Sequence, residues 1–435
     1  MLLPPPTVNL PRYLFLQGQI SRFFAELGGA LRQRGHAVHR INFNGGDRRF
    51  WPLPGAADFH GRPEEWPAFL AERLERWQIS DLVLFGDCRP LHRAAIAQAR
   101  LRGVRVQVFE EGYLRPDYIT LEEGGVNGHS ALPRDPGAYL RAAAELPEPP
   151  AAQPIPASFG RRALDDIHYN LSASLGAARY PHYRTHRPWN PLSEYAVGAR
   201  RLPLKLMTAA GTRAKVQALI GGAGAAPYYL FPLQLAADSQ IRYHAPPGGL
   251  PAQIRRVIAS FAAQAPAHLR LVITEHPLDY GPLDIAARVA ALAREHAVAD
   301  RLLFLRGGSP PGLIAAARGL ITVNSTIGIT ALDLGVPVLA LGRAIYNLPG
   351  LCDQQGLDGY WQSPTAPERV LFEAFRKVVA ARTQVNGGFF SEEGIVRAVE
   401  GSLRRLEASA RTPSRPAADV PSPPRQKLRT PARMP

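Results

Sequence analysis

Short apolar runs alternate with longer segments in which apolar residues recur every three or four positions, and the alternation occurs twice along the chain. In the first half, Tyr13-Leu14-Phe15-Leu16-Gln17 precedes a helical pattern over residues 22–34 that stops at Gly35, and Ala37-Val38-His39-Arg40-Ile41-Asn42-Phe43 follows. Periods near two and near 3.6 in that order predict a βαβ opening. A helical pattern over 64–77 leads into Asp81-Leu82-Val83-Leu84-Phe85-Gly86, and one over 92–101 leads into Val104-Arg105-Val106-Gln107-Val108-Phe109. Such an order predicts a parallel sheet with helices on both faces. The second half repeats it, with strands expected at Tyr228-Tyr229-Leu230-Phe231-Pro232, 269–274, 302–305, 319–323 and 336–341 and helices over 252–264 and 285–296. These five strands predict a second open sheet.

Between the halves, residues 132–156 are rich in Ala and Pro and read as a surface excursion. Residues 158–212 read as a mostly helical link with breaks at Pro181, Pro188 and Pro191, and Gly221-Gly222-Ala223-Gly224 marks a boundary. A helical pattern over 392–406 is expected to pack back across the junction. Beyond Arg411 the chain is rich in Pro, Lys and Arg, with Asp419 its single acid, so it cannot build a core and is expected to be disordered. The expected division is a Rossmann-like domain with helical linker over 1–215, a second Rossmann-like domain over 216–390, a returning helix over 391–410, and a basic Pro-rich tail over 411–435. Two such α/β domains facing one another across a cleft make the GT-B architecture, which many glycosyltransferases and some sugar-nucleotide epimerases share.

Composition changes this picture little: 435 residues, 46% hydrophobic and 20% charged, suffice for two ordinary globular cores. The net charge of +15 comes mostly from arginine spread along the chain. It suits a solvated basic surface, an anionic membrane surface or an acidic substrate. No basic-aromatic recognition motif occurs, so nucleic acid is not an expected partner. The two cysteines, Cys88 and Cys352, are too few and too far apart to suggest disulfides or a zinc cluster, and no metal is expected. They suit a reducing cytoplasm. The N-terminus lacks a signal-peptide pattern, and the longest apolar stretch, 327–341, is interrupted by Asp333 and Pro337, so no membrane span is expected.

Candidate chemistry gathers where strands are expected to end. Thr274-Glu275-His276-Pro277 follows one apolar run, and Asn324-Ser325-Thr326 follows another and opens a helical pattern at Ile327. Ligands of open α/β folds bind at such strand ends, and free N–H groups at a helix start attract anions. A lone histidine there is more often structural, but His276 beside Glu275 and Pro277 can neutralise a leaving phosphate without a metal. Across the expected cleft, Glu110-Glu111-Gly112 closes a strand; either the two acids pair with arginines such as Arg115, or one is a catalytic carboxylate whose pKa is raised by its neighbour. Gln234, Asp238, Ser239 and Gln240 offer groups for a base, ribose or sugar, although Asp238 or Ser239 serves equally well as a helix cap. Gly18, Gln19 and Arg22 form an acceptor- or phosphate-loop candidate that lacks the dinucleotide fingerprint.

Taken in order, Phe15-Leu16-Gln17-Gly18, Ile41-Asn42-Phe43-Asn44-Gly45-Gly46-Asp47, Glu110-Glu111-Gly112-Tyr113-Leu114-Arg115-Pro116, Thr120-Leu121-Glu122, Pro232-Leu233-Gln234, Asp238-Ser239-Gln240-Ile241, Glu275-His276-Pro277-Leu278-Asp279 and Asn324-Ser325-Thr326 resemble the capsule polysaccharide biosynthesis/export family in its KpsS (LipB-like) branch. The resemblance covers residues 12–405. It implies a retaining β-Kdo transferase at the cytoplasmic face of the inner membrane that uses CMP-Kdo as donor, no other cofactor, and a lysophosphatidylglycerol-type lipid as acceptor. It also implies partnership with other capsule assembly proteins and an export ABC transporter. Carried onto this chain, it assigns His276 and Asn324-Ser325-Thr326 to the CMP phosphate and Glu111 to the position of the nucleophile. That residue is typically Asp in related transferases, and Glu reaches about one methylene further. Two other readings fit the same pattern: a non-catalytic scaffold of capsule export, and a sugar-nucleotide epimerase.

Overall fold

The computed structural model describes residues 10–411 apart from 157, 188, 190, 222–225 and 280–282. The tail from 412 onward and the expected boundary at Gly222-Ala223-Gly224 therefore lie outside the described residues.

The first sheet is built from β1 (Arg12–Phe15), β2 (Ala37–Asn42), β3 (Ala56–Asp58), β4 (Asp81–Phe85), β5 (Arg105–Glu111) and β6 (Tyr118–Glu123). The second contains β7 (Tyr228–Pro232), β8 (Arg270–Thr274), β9 (Leu302–Leu305), β10 (Gly319–Thr322) and β11 (Val338–Ala340) in the order β11-β10-β7-β8-β9, all parallel. A twelfth strand, β12 (Gln384–Asn386), returns to the first sheet, whose order is β12-β6-β5-β4-β1-β2-β3. Central strands β4 and β7 are buried along their whole length, as covering by helices on both faces requires. This is the expected GT-B arrangement of two α/β domains.

The first sheet is not wholly parallel. β6 runs antiparallel to β5 because the chain folds straight back through Gly112-Tyr113-Leu114-Arg115-Pro116-Asp117 without a crossover helix, and β12, arriving from the second domain, pairs antiparallel to β6. A Cβ on Gly112 would lie 2.0 Å from the Tyr118 carbonyl oxygen, so only glycine allows the strand end to pass this close.

Three expected boundaries shift. Residues 132–156 are not merely a surface excursion: Asp135 accepts hydrogen bonds from the Gly137 and Ala138 N–H groups and caps a helix at Pro136–Glu145. Its Tyr139 ring packs 5.3 Å from Phe375 on helix Arg369–Thr383, so a segment of the first half is buried in the second core. The division at 215/216 falls inside one helix, Pro191–Gly221, whose Val216 and Leu219 are buried in the second core. The return to the first domain begins with β12, ahead of residue 391, and continues into helix Glu392–Arg411. That helix buries Ile395, Ala398, Leu403 and Leu406, which share one face, against the first core. The two domains thus exchange segments, which ties them at the back of the cleft.

The motif Asn44-Gly45-Gly46-Asp47 has a structural use. Asn44 caps the short helix Gly45–Arg49, and that helix lies against helix Phe159–Leu175 with no room for side chains: a Cβ on Gly45 would fall 2.2 Å from the Ser172 carbonyl oxygen, and one on Gly46 2.7 Å from Tyr169. Asp47 then accepts the Tyr169 hydroxyl at 2.9 Å and the Phe43 N–H at 3.0 Å, with buried Arg40 at 3.4 Å. Three partners satisfy a carboxylate that would otherwise be costly to bury.

Candidate active site

A cavity of about 550 Å³ opens between the domains beside the ends of β4, β5 and β7. Parallel strands place their carboxyl ends on one edge, and here both sheets turn that edge to the cleft. Helix Phe159–Leu175, expected as a linker, forms a third wall through Phe159, Arg162, Ala163, Asp166 and Ile167. Its position follows from the glycine docking at Gly45 and Gly46.

Glu110 lines this cavity. Removal from water pushes its carboxyl up to about 8, and the Glu111 and Asp238 charges add to that; the Glu111 N–H, donated to Glu110 Oε1 at 3.0 Å, works in the opposite sense. Successive residues of a strand point to opposite sides, so Glu111 leaves β5 on the other side from Glu110. Its Oε1 accepts the Gln19 amide at 2.9 Å and lies 3.7 Å from Arg162, and both of those side chains line the cavity. The Arg162 guanidinium also rests 5.0 Å from the Phe390 ring centroid. The two carboxylates therefore differ in surroundings, one buried beside other carboxylates with a single backbone donor and one held by side-chain donors.

The cavity carries charge of both signs: Asp87, Glu110, Asp166, Asp238 and Asp279 line it together with four arginines. Arg89, Arg162, Arg187 and Arg242 all reach it. Arg89 donates to the Gln17 side-chain oxygen at 2.9 Å and lies over Phe85, while Arg187 pairs with Asp166 at 2.6 Å. Burial, with the Arg89 and Arg187 cations beside it, pushes His186 down to about 2 and keeps it neutral. Arginine forks around an apolar-walled hollow suit phosphate and carboxylate groups.

Of the residues expected from sequence, Gln19, Glu110, Asp238 and Ser239 are brought together at this cavity. Asp238 caps the helix Ser239–Tyr243 by accepting the Gln240 N–H at 2.9 Å, and burial raises its carboxyl pKa. Gln240, Asn324 and Thr326 instead line a small cleft of about 10 Å³ with Tyr113, Arg343 and Tyr346. Asn324 is occupied by protein partners: it accepts the Gln234 amide at 3.1 Å, donates its backbone N–H to Gln234 Oε1 at 3.2 Å and its amide to the Gln240 carbonyl at 3.0 Å. Ser325 accepts the Ile327 N–H at 3.3 Å, at the start of a helix of seven residues, Ile327–Asp333. Glu275 and His276 follow β8; His276 Nδ1 accepts the Leu278 N–H at 3.1 Å, and it is Leu278 and Asp279, beyond Pro277, that reach the cavity wall.

Three expected ligand residues serve elsewhere. Arg22 forms ion pairs with Glu392 at 3.0 Å and Glu26 at 4.0 Å, and so clasps the returning C-terminal helix. Gly18 lies where a Cβ would meet the Phe24 ring at 2.6 Å, which makes it a packing glycine. Exposed Arg115 donates to the Gly112 carbonyl at 3.1 Å and braces the β5–β6 turn. The cavity residues Arg89, Arg162, His186, Arg187, Trp189 and Arg242 carry no motif in the sequence; Arg162, His186, Arg187 and Trp189 lie in the helical link between the halves, and Arg89 and Arg242 follow β4 and β7.

Fold and cleft define a GT-B protein with a buried glutamate, Glu110, facing an arginine-lined hollow. A family model described as capsule polysaccharide biosynthesis protein matches residues 80–390, and the chain belongs to that family. The capsule polysaccharide export protein KpsS of Escherichia coli is 34% identical over 379 residues, covering 87% of this chain and 97% of that protein. The capsule polysaccharide modification protein LipB of Neisseria meningitidis serogroup B is 34% identical over 384 residues, covering 87% of this chain and 91% of that one. Among solved structures, KpsC of Thermosulfurimonas dismutans, a β-Kdo 2,7 transferase, superposes with a TM-score of 0.41 at 12% identity over 91% of this chain and 99% of that one. So loose a superposition says nothing about activity. Among the described residues no helix is long and apolar enough to cross a membrane.

Proposed function

We propose that this protein is a retaining glycosyltransferase that moves β-Kdo from CMP-Kdo to an anionic, lysophosphatidylglycerol-type lipid at the inner face of the membrane. The observation that carries the reading is the Glu110/Glu111 pair at the end of β5, set against the arginines of an interdomain cavity. Membership of the capsule family supports the biological setting, with other capsule assembly proteins and an export ABC transporter as downstream partners.

In this reading a Glu111 carboxylate oxygen attacks the anomeric carbon of Kdo as the bond to the CMP phosphate breaks, and CMP leaves with the electron pair. The lipid hydroxyl then attacks the same carbon from the vacated side, Glu110 takes its proton, and the Glu111 ester bond breaks. Two inversions give net retention. A carboxyl with a pKa near 8 is a far stronger base than an ordinary glutamate, which suits Glu110 to that proton transfer. The arginines meet the donor phosphate and the Kdo carboxylate, and His276 with Ser325 and Thr326 supports the nucleotide from the second domain. No metal is required for departure of CMP, because fixed cations supply the neutralising charge.

The test is to incubate the purified protein with CMP-Kdo and lysophosphatidylglycerol and to weigh the lipid by mass spectrometry. A lipid heavier by one Kdo supports the proposal. The name of the E. coli relative favours a second reading, a non-catalytic component of export, which predicts unchanged lipid and intact CMP-Kdo. Turnover of a sugar nucleotide without any acceptor is instead the epimerase outcome.

A further inference from the structure

The cleft floor holds a cluster that the reaction above does not use. Asp87 and Cys88 follow β4, His129 ends the 3-10 turn Asn127–His129, and His244 caps the helix Ser239–Tyr243 of the second domain. One ligand-type atom from each lies within 4.8 Å of the others. Three of the separations are short: Asp87 Oδ2 to His129 Nδ1 is 3.0 Å, Asp87 Oδ1 to Cys88 Sγ 3.1 Å and Cys88 Sγ to His244 Nε2 3.3 Å. Donor atoms around a tetrahedral zinc stand about 3.3–3.6 Å apart, given the usual metal–ligand lengths.

The surroundings are shaped to bring these four together. A Cβ on Gly128 would lie 2.4 Å from His244 Nδ1, and one on Gly125 would lie 2.8 Å from His129 and 3.2 Å from Asp87 Oδ2. The Val126 N–H fixes Asp87 by donating to Oδ2 at 3.0 Å. The buried His244 Nδ1 has no hydrogen-bond partner, while Nε2 is turned to the Cys88 sulfur. With the ring proton on Nδ1, Nε2 presents a lone pair to the cluster, the form in which imidazole ligates a metal.

We infer that Asp87, Cys88, His129 and His244 form a binding site for a zinc-class divalent cation that ties the two domains together across the cleft floor. One thiolate, two imidazoles and one carboxylate make a donor set typical of zinc. Coordination expels the Cys88 thiol proton to solvent. The ion links β4 of the first domain to the helix Ser239–Tyr243 of the second and so favours the closed cleft; it takes no part in departure of the leaving group, so this inference stands apart from the proposed reaction. It departs from the expectation that the two cysteines hold no metal.

The experiment uses the full chain stripped with chelator, titrated with Zn2+ and separately with Co2+. The site predicts one equivalent bound, a thiolate-to-cobalt charge-transfer absorption in the near ultraviolet, and a rise in melting temperature with Zn2+. Cys88→Ala and His244→Ala each weaken binding by more than about 100-fold, beyond what loss of an outer partner costs, while Cys352→Ala, which changes the other buried cysteine, leaves it unchanged. Circular dichroism of the variants without metal confirms that they fold. Absence of saturable zinc binding by the wild-type chain, or a cobalt spectrum without the sulfur band, overturns the inference and needs no variant.

Discussion

Gln234 and Asn324 hold each other by a reciprocal pair of hydrogen bonds, 3.1 Å from amide to amide oxygen and 3.2 Å from backbone N–H back to Gln234 Oε1. The pair joins the ends of β7 and β10, so both residues are fixing the cleft edge. Asn324→Ala leaves the buried Gln234 amide unpaired and is expected to cost about 1–3 kcal/mol. The Gln234→Ala/Asn324→Ala double variant is expected to cost little more than either single change. Denaturant midpoints of the four proteins check this; additive losses would show that the pair is not coupled.

Gly46 allows helix Gly45–Arg49 to touch Tyr169, and with it positions the third wall of the cavity. Gly46→Ala forces the helices apart, with an expected cost of about 1–3 kcal/mol. Because Arg162 rides on the displaced helix, donor affinity falls as well. Calorimetric melting and nucleotide binding, measured on the same sample, report the two effects together.

Glu110 gives the protein a distinct pH signature. Its folded pKa, raised to about 8, exceeds its value in the unfolded chain, so between roughly pH 4.5 and 8 the folded state keeps a proton that the unfolded state has lost. Its contribution to stability is therefore fully present below pH 4.5, declines as pH rises to about 8, and is constant above. Glu110→Gln is expected to melt a few degrees higher than wild type at pH 8.5 and no higher at pH 4.5. Transfer by the wild type, where Glu110 acts as base, is expected to rise between pH 6 and 8, and the variant should lack that limb.

Arg162 touches Glu111 and Phe390 at once, which makes it a positioning residue for the proposed nucleophile. Arg162→Ala is expected to lower kcat by roughly 10- to 100-fold, the scale of a displaced reacting group. Arg162→Lys keeps the charge but loses the fork and restores part of the rate. An effect confined to KM would show that Arg162 only binds donor.

Much of the frame is legible in the sequence because buried strands and amphipathic helices impose periods that survive without tertiary information. The strand Tyr228–Pro232 and the carboxylates after Phe109 are examples. Helix Pro136–Glu145 is not legible in the same way: Ala and flanking Pro make it resemble a loop, and what stabilises it is Phe375, far away in sequence. β12 has three residues, too few for any period, and is defined by pairing with β6. The site divides likewise. Glu110 stands at a recognisable strand end, whereas Arg89, Arg162 and Arg242 acquire meaning only when three separate segments meet at one cavity. Asn324 and Gln234 have the residue types of a ligand site and the contacts of a structural one.

The central claim is that the acidic pair at the end of β5 performs glycosyl transfer, and the rate of Kdo transfer from CMP-Kdo to lysophosphatidylglycerol by Glu111→Gln measures it most directly. Glutamine keeps the size of the side chain and can still meet Gln19 and Arg162, so the fold is retained and can be verified by melting temperature. The account predicts a fall of at least about 1,000-fold, as loss of a nucleophile entails. Transfer at the wild-type rate by a folded Glu111→Gln would contradict it.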